Sequence, residues 1–268
     1  MSDTFFRFPL RALAAFEGPF IRLGNLVGYC VMDVGYKLVT PDERKNLALG
    51  EYQRLAWERG GARVRVTFDG NAAQSSQKNY ESVQAACGLA AQATVSIRAE
   101  WLWNCLYVLR GDADKAEMPL SYREFSVLCA ILSKLGDKDL ESCTWQEIQC
   151  RALGYTTKAE MVRMLPQRKD GAKALTRQQI RSTLDDLDRN KFFGRWSVGN
   201  GERSWLTYFS FKRMSRAKLA ERATVLYGQR RRRGPLRRTE KDKQLAAEQW
   251  AAFQKQRRAQ PPKTPPSV

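Results

Sequence analysis

The chain has 268 residues, 43% of them hydrophobic, and its 46 Lys and Arg against 28 Asp and Glu give a formal net charge of +18. This length suffices for one large domain or two small ones with a buried core. No apolar run approaches the roughly 18–20 residues of a membrane span, and the N-terminus lacks a basic region followed by a long apolar stretch. We therefore expect a cytoplasmic protein with no membrane partner.

Residue content also limits the chemistry. Histidine is absent, which excludes Ser–His–Asp and Cys–His nucleophiles and the commonest general base. A P-loop and a G-x-G-x-x-G fingerprint are missing, and no tight Asp/Glu cluster stands out. The cysteines form no C-x-x-C pair, so we expect reduced structural thiols and no metal site; they are Cys30, Cys87, Cys105, Cys129, Cys143 and Cys150. The sequence predicts a protein that is not an enzyme and has no cofactor.

Residues 1–112 are interpreted as a mostly helical N-terminal domain for oligomerisation, as a homodimer or in a larger complex, or for partner docking. Apolar residues recur at helical spacing over Leu26–Val34. The Thr40–Glu43 segment starts a further helix, with Pro at its first helical position. Arg63–Phe68 alternates polar and apolar residues, which is typical of a short strand.

The rest of this N-terminal part is less regular. Ala72–Ala93 is rich in Ala, Gln and Ser and predicts a helix. Val95–Leu109 is compatible with either a helix or a strand, and we expect its Trp101 and Trp103 to be buried. Gly111–Lys115 is interpreted as a linker.

Three helix starts follow within a second predicted domain, residues 118–228. Each is a capping box, in which a hydroxyl accepts from the backbone N–H three residues on and a Glu or Gln reaches back; the boxes are Ser121–Glu124, Thr144–Glu147 and Thr176–Gln179. A further short helix is predicted from Thr157 to Pro166. The second and third boxed helices are about twenty residues apart, whereas an ordinary helix-turn-helix uses three or four.

The third of these helices has two distinct faces. Its apolar residues Ile180, Leu184 and Leu187 fall on the inner side, and polar residues fall on the outer side. Arg pairs well with guanine and Gln with adenine, and recognition helices read bases with their first turns. The predicted nucleic-acid contacts are Arg177, Gln178, Arg181 and Ser182. The alternative is an amphipathic helix whose polar face, including Asp185, is simply solvated.

An aromatic two-strand ribbon follows from Phe192 to Phe211 and turns at Gly199–Gly201. The tip of such a ribbon meets phosphate or the minor groove. The predicted nucleic-acid contacts of the ribbon are therefore Arg195, Asn200 and Arg203. The aromatic residues Trp196, Trp205 and Phe209 are interpreted as cross-strand packing over the helices.

The C-terminal part carries most of the excess charge. From Arg203 onward there are 18 Lys and Arg against four acidic residues, so +14 of the net +18 lies there. Such a local excess favours binding of a polyanion by phosphate neutralisation; a protein partner or a membrane surface is the alternative. Residues 229–268 are predicted to be a basic, Pro-rich, partly disordered tail. We assign phosphate contacts to Arg230, Arg231, Arg232, Arg233, Arg237 and Arg238, and place Arg168 and Lys169 on the same surface.

Residues 119–211 resemble the winged helix-turn-helix superfamily. The resemblance rests on the order helix, helix, recognition helix and hairpin, and on the segment Leu184–Phe193. In this segment a polar turn lies between two helical leucines and the hydrophobic start of a strand. The resemblance covers about a third of the chain and implies a DNA-binding domain. Members include transcription regulators, replication initiators and architectural subunits of larger assemblies.

These observations predict a mostly α fold with a small β component: a helical N-terminal domain, a winged-helix domain with a two-strand wing, and a basic tail. The leading hypothesis is a non-enzymatic DNA-binding protein whose partner is double-stranded DNA. Two alternatives remain open at this point: an RNA-binding subunit of a bacterial ribonucleoprotein complex, and a histidine-free nuclease.

Overall fold

The computed structural model describes residues 5–38, 70–87, 93–199 and 205–233. Within these ranges the protein is mostly α-helical with a small β component, as predicted. The helices there are α1 (Pro19–Leu38), α2 (Gly70–Cys87), α3 (Ala99–Arg110), α4 (Tyr122–Leu135), α5 (Trp145–Ala152), α6 (Lys158–Met164), α7 (Arg177–Arg189) and α8 (Arg216–Arg233). The strands are β1 (Phe5–Pro9), β2 (Thr94–Arg98), β3 (Glu141–Cys143), β4 (Gly194–Gly199) and β5 (Trp205–Ser210). None of the described helices is both long and apolar enough to cross a membrane.

The first strands, β1 and β2, pair antiparallel, with Phe6 opposite Ile97 and Phe8 opposite Val95. All four side chains are buried, while Phe5 is exposed, so β1 shows the two-residue alternation of a strand with one covered face. Helix α1 packs against β1, α2 and α3. This part of the chain is therefore helical with a small sheet.

The block Val95–Leu109 contains both of the structures that its sequence allowed. Strand β2 buries Val95 and Ile97, and helix α3 follows it directly. Trp101 and Trp103 are buried in α3, which confirms their predicted burial.

Other predictions for the N-terminal part are tested only in places. The helix predicted over Ala72–Ala93 is α2 as far as Cys87. The helix predicted from Thr40 and the strand predicted over Arg63–Phe68 lie outside the described residues.

One cluster of buried hydrophobic residues contains side chains from both sides of the segment that was interpreted as a linker. It extends from Phe6 of β1 to Phe209 of β5. Trp101 of α3 packs edge-on against Phe192, with ring centroids 5.3 Å apart, and lies 5.9 Å from Phe211. The linker itself is ordered: Gly111 ends α3 with a φ of 82°, and Ala113–Lys115 forms a 3-10 turn. The two parts share a core, and their division into separate domains, 1–112 and 118–228, stays a prediction.

All three predicted capping boxes are present. In each, the side chain of the first residue accepts from the backbone N–H of the fourth, and the fourth side chain accepts from the first backbone N–H. The boxes begin at Ser121, Thr144 and Thr176. The predicted short helix is α6, where Thr157 Oγ1 accepts from the Glu160 backbone N–H at 3.1 Å.

The second sheet has the order β3–β5–β4, with both pairs antiparallel. Strands β4 and β5 are the predicted ribbon, paired from Gly194 opposite Ser210 to Gly199 opposite Trp205. Strand β3, only three residues long, was not predicted because a segment this short shows no readable alternation. The predicted wing is thus two strands of a three-stranded sheet among the described residues.

The C-terminal helix α8 was not predicted. Ser215 Oγ accepts from the backbone N–H of Lys218 at its start, and the helix passes through Gly228 to Arg233. Residues from Glu221 onward belong to a separate compact unit, of which 221–233 is described. The first four arginines of the expected basic arm, Arg230–Arg233, therefore lie in a helix, consistent with the high helix propensity of Arg and the favourable position of cations at a helix C-terminus.

Candidate nucleic-acid interface

Helix α7 separates its residues as predicted. Ile180, Leu184 and Leu187 are buried in the shared core. The outer residues Arg177, Gln178, Arg181 and Ser182 are all exposed. The helix packs through its inner face against α4 and α5, so the outer face is presented by a fixed support.

The capping box determines which amides at the start of α7 are already engaged. Gln179 Oε1 accepts from the backbone N–H of Thr176 at 2.9 Å, and Thr176 Oγ1 accepts from the Gln179 N–H at 3.2 Å. Arg177 and Gln178, the two residues between Thr176 and Gln179, are exposed to solvent. Ser182 Oγ donates to the Gln179 carbonyl at 3.0 Å, which reduces its capacity for an outside partner.

Arg195 of β4 lies against α7. Its Nε donates to Asp188 Oδ2 at 2.9 Å, and its Nη2 donates to Asp185 Oδ1. The side chain is 24% exposed. Predicted as a nucleic-acid contact, Arg195 joins the ribbon to the helix and offsets one of the two negative charges of Asp185 and Asp188 beside the outer face of α7.

The ribbon aromatics have mixed environments. Phe209 is fully buried and packs edge-on against Phe193 with centroids 5.3 Å apart, which confirms its predicted packing role. Trp196 is partly exposed and carries the guanidinium of Arg216 over its ring at 5.5 Å. The side chain of Trp205 lies outside the described residues, as do the ribbon-tip residues Asn200 and Arg203.

Arg168 is not a surface cation. Its side chain is 7% exposed, and both its Nε and its Nη2 donate to the carboxylate of Asp170, whose own side chain is 8% exposed. Another nitrogen donates to the Leu153 carbonyl at 3.2 Å. The hydrogen bonds from Arg168 hold the pKa of Asp170 well below its usual range, against the effect of burial. Lys169, by contrast, is exposed.

The second partner of Asp170 comes from the N-terminal part. Arg22 of α1 is 2% exposed and donates to Asp170 Oδ2 at 2.6 Å. It also donates to the carbonyls of Ala15 and Phe16 at 2.9 Å and to the Tyr122 hydroxyl at 2.6 Å. Sequence reasoning missed this residue, since an Arg in an apolar stretch gives no sign of a partner 148 positions away.

The predicted arm is described only in part. Arg230 is exposed, and Arg231, Arg232 and Arg233 are helical residues whose side chains lie outside the description. Arg237 and Arg238 lie beyond the described residues.

No cluster of three or more potential metal ligands occurs in the described parts of the chain. All six cysteines are buried thiols outside disulfides. Burial raises the pKa of Cys143 to about 12 and that of Cys87 to about 11. A thiol with so high a pKa is protonated at neutral pH, so these two are poor nucleophiles.

Comparison of the chain with protein-family models, with curated proteins and with solved structures finds no match.

Proposed function

We propose that this chain is a non-enzymatic, cytoplasmic DNA-binding protein whose residues 119–211 act as a winged helix. In this proposal α7 is the recognition helix in the major groove of double-stranded DNA, and β4 and β5 form the wing. The order α4, α5, α7, β4 and β5 supports this assignment. The protein would serve as a regulator, a replication initiator or the DNA-binding subunit of a larger assembly.

The observation that carries the proposal is the outer face of α7. Arg177, Gln178 and Arg181 are exposed in its first two turns, on a helix whose opposite face is buried against α4 and α5. Arg donates two hydrogen bonds to guanine and Gln pairs with adenine, so these side chains match the donor and acceptor pattern of the major groove. A rigid support of this kind is needed because base readout depends on fixed side-chain positions.

Charge supports the same surface. Of the carboxylates of α7, Asp185 and Asp188 share Arg195 and Asp186 pairs with Arg189. Arg177 and Arg181 form no salt bridge in the described chain, so α7 and Arg195 together keep a net charge of +1. A positive face attracts the DNA backbone at long range and fixes the register through phosphate contacts. In the proposal the arginines of α8 add sequence-independent affinity.

Binding of the full-length protein to matched duplex DNA, single-stranded DNA and RNA of one sequence tests the proposal. Fluorescence anisotropy across a salt series of about 50 to 200 mM would report affinity and phosphate contacts together. We expect duplex DNA to bind most tightly, and a double variant Arg177→Ala/Arg181→Ala to bind it more weakly. A variant with Arg230–Arg233 changed to Gln measures how much of the duplex affinity the arginines of α8 contribute.

Three results would contradict the proposal. Tighter binding to RNA than to duplex DNA would favour the ribonucleoprotein subunit instead. Loss of all duplex affinity on neutralising Arg230–Arg233, with no effect from the α7 variant, would remove the role of α7. Cleavage of the probe that a chelator abolishes would favour the nuclease.

A further inference from the structure

The segment that joins α5 to α7 is much longer than the turn of an ordinary helix-turn-helix. We define the connection as residues 157–175; it contains α6 and the 3-10 turn Leu165–Gln167. It ends directly before Thr176, the N-cap of α7. Gln149 of α5 donates to the Leu175 carbonyl at 2.6 Å, so the end of the connection is fixed to the helix that supports α7.

The acidic residues of the connection are both paired with arginines of the N-terminal part. Arg11 donates to Glu160 Oε1 at 2.7 Å. Arg22 donates to Asp170 Oδ2 at 2.6 Å, and Arg168 pairs with the same carboxylate. The connection contains no other Asp or Glu. Its negative charges are therefore neutralised internally.

The remaining cations of the connection point outward. Lys158, Arg163, Lys169 and Lys173 are all exposed, and none forms a salt bridge with a carboxylate of the described chain. In α6 Arg163 lies on the side of the helix away from the buried Met161, whereas the exposed Lys158, three residues before Met161, lies beside the buried face. Four exposed charges of one sign within a 19-residue segment repel one another, and a polyanion would relieve this repulsion.

From this arrangement we propose that the connection is a second DNA-contact surface, on which Lys158, Arg163, Lys169 and Lys173 bind backbone phosphates beside the groove that α7 enters. The inference rests on the proposed function of α7 and goes beyond it by assigning the inserted segment a partner. It also gives Arg11 and Arg22 a role in binding, since their pairing with Glu160 and Asp170 adds two positive charges to the net +3 that the connection has from its own five Lys and Arg and two acids.

Phosphate contacts have a specific signature. Each neutralised phosphate releases condensed counterions, so the logarithm of affinity falls with the logarithm of salt with a slope of about −0.9 per contact. Such contacts carry no sequence information. Removing them should weaken binding to every duplex and flatten the salt dependence.

The test compares two full-length variants that each lose four positive charges. The first changes Lys158, Arg163, Lys169 and Lys173 to Gln. The control changes four exposed cations outside the connection and α7, namely Arg7, Lys78, Arg110 and Lys115, to Gln. Anisotropy is measured on a duplex of arbitrary sequence in a salt series, and thermal unfolding verifies that each variant is folded.

We expect the connection variant to reduce the salt slope by about 2 to 4 and to bind on the order of 100-fold more weakly at low salt, with the control near wild type. Equal losses in the two variants would show an effect of net charge alone and would overturn the inference while leaving the α7 proposal intact. Wild-type protein that does not bind duplex DNA would overturn both.

Discussion

Arg22 in α1 donates a 2.6 Å hydrogen bond to Asp170, a residue 148 positions further along the chain that lies just before the recognition-helix candidate. The two side chains are 2% and 8% exposed. The same guanidinium holds the Ala15 and Phe16 carbonyls and the Tyr122 hydroxyl. A single buried cation therefore ties the N-terminal part, the start of α4 and the connection together.

The first prediction concerns the stability contributed by this pair. Changing Asp170 to Asn leaves the buried Arg22 and Arg168 without their counterion, and breaking one side of a buried ion pair costs about 3–5 kcal/mol. We expect a loss of this size in the free energy of unfolding, measured by urea denaturation. The control is Asp112→Asn, which removes an exposed carboxylate paired with Lys115 and should cost at most about 1 kcal/mol. Similar losses of unfolding free energy in both variants would contradict a buried, stabilising ion pair at Asp170.

The second prediction is a pH dependence. Hydrogen bonds from Arg168, and then from Arg22, hold the pKa of Asp170 below the value of about 3.9 that it has in the unfolded chain. The unfolded state then binds the proton first, so this contribution to stability is complete above about pH 5 and is lost as the pH falls further. The gap in unfolding free energy between wild type and Asp170→Asn should stay constant from about pH 7 to 5 and shrink below 4. A gap that widened towards acid would contradict the lowered pKa.

Local sequence signals predicted the local structure well. The capping boxes at Ser121, Thr144 and Thr176 are all present. They could be predicted because each box joins two residues only three positions apart. The buried face of α7 followed from its 3.6-residue period. The order of the boxed helices and the ribbon was likewise readable, since each element has its own start signal.

Long-range features were not predictable in this way. Arg168 and Arg195 looked like surface cations, because the carboxylates that bind them are identified only by tertiary packing. Arg22 has its partners from 6 to 148 positions away. Helix α8 was missed because Gly228 and the arginine run suggested an arm, although no residue before Gly234 forces the helix to stop.

The third prediction tests the close approach of the two parts of the chain at Gly154. This residue has a φ of +88°, and a Cβ there would lie 2.6 Å from the backbone nitrogen of Ala14. Gly171 has a similar φ of +64° with nothing within 4 Å of such a Cβ, which makes it the matched control. We expect Gly171→Ala to cost about 1–2 kcal/mol for its backbone conformation, and Gly154→Ala a further 1–3 kcal/mol for the clash. Equal unfolding free energies for the two variants would show that the backbone at Ala14 moves away from the new Cβ at position 154 without measurable cost.

The fourth prediction is a loss of base discrimination when Arg181 becomes Ala. A good bidentate contact to a base is worth about 1–3 kcal/mol, so affinity for the best duplex from a site selection should fall by that amount and one position should become permissive. The matched control is Arg189→Ala at the far end of α7, where the side chain pairs with Asp186. Equal losses of Arg181→Ala on the selected duplex and on random DNA would contradict base readout by this residue.

The last prediction separates two roles for Arg195. If its role is to offset the charge of Asp185 and Asp188, then Arg195→Met changes the net charge of this group from −1 to −2 beside the outer face of α7. Affinity for all duplexes should then fall roughly threefold to tenfold at low salt.

The decisive comparison for Arg195 is a triple variant that also changes Asp185 and Asp188 to Asn. Removing both acids brings the net charge of this group from −2 to 0, compared with −1 in wild type, so duplex affinity in anisotropy should return to at least the wild-type value. If Arg195 itself bound phosphate, the triple variant would still lack that contact and its affinity would stay low. Because the two guanidinium hydrogen bonds within the protein already orient this side chain towards α7, we expect the recovery.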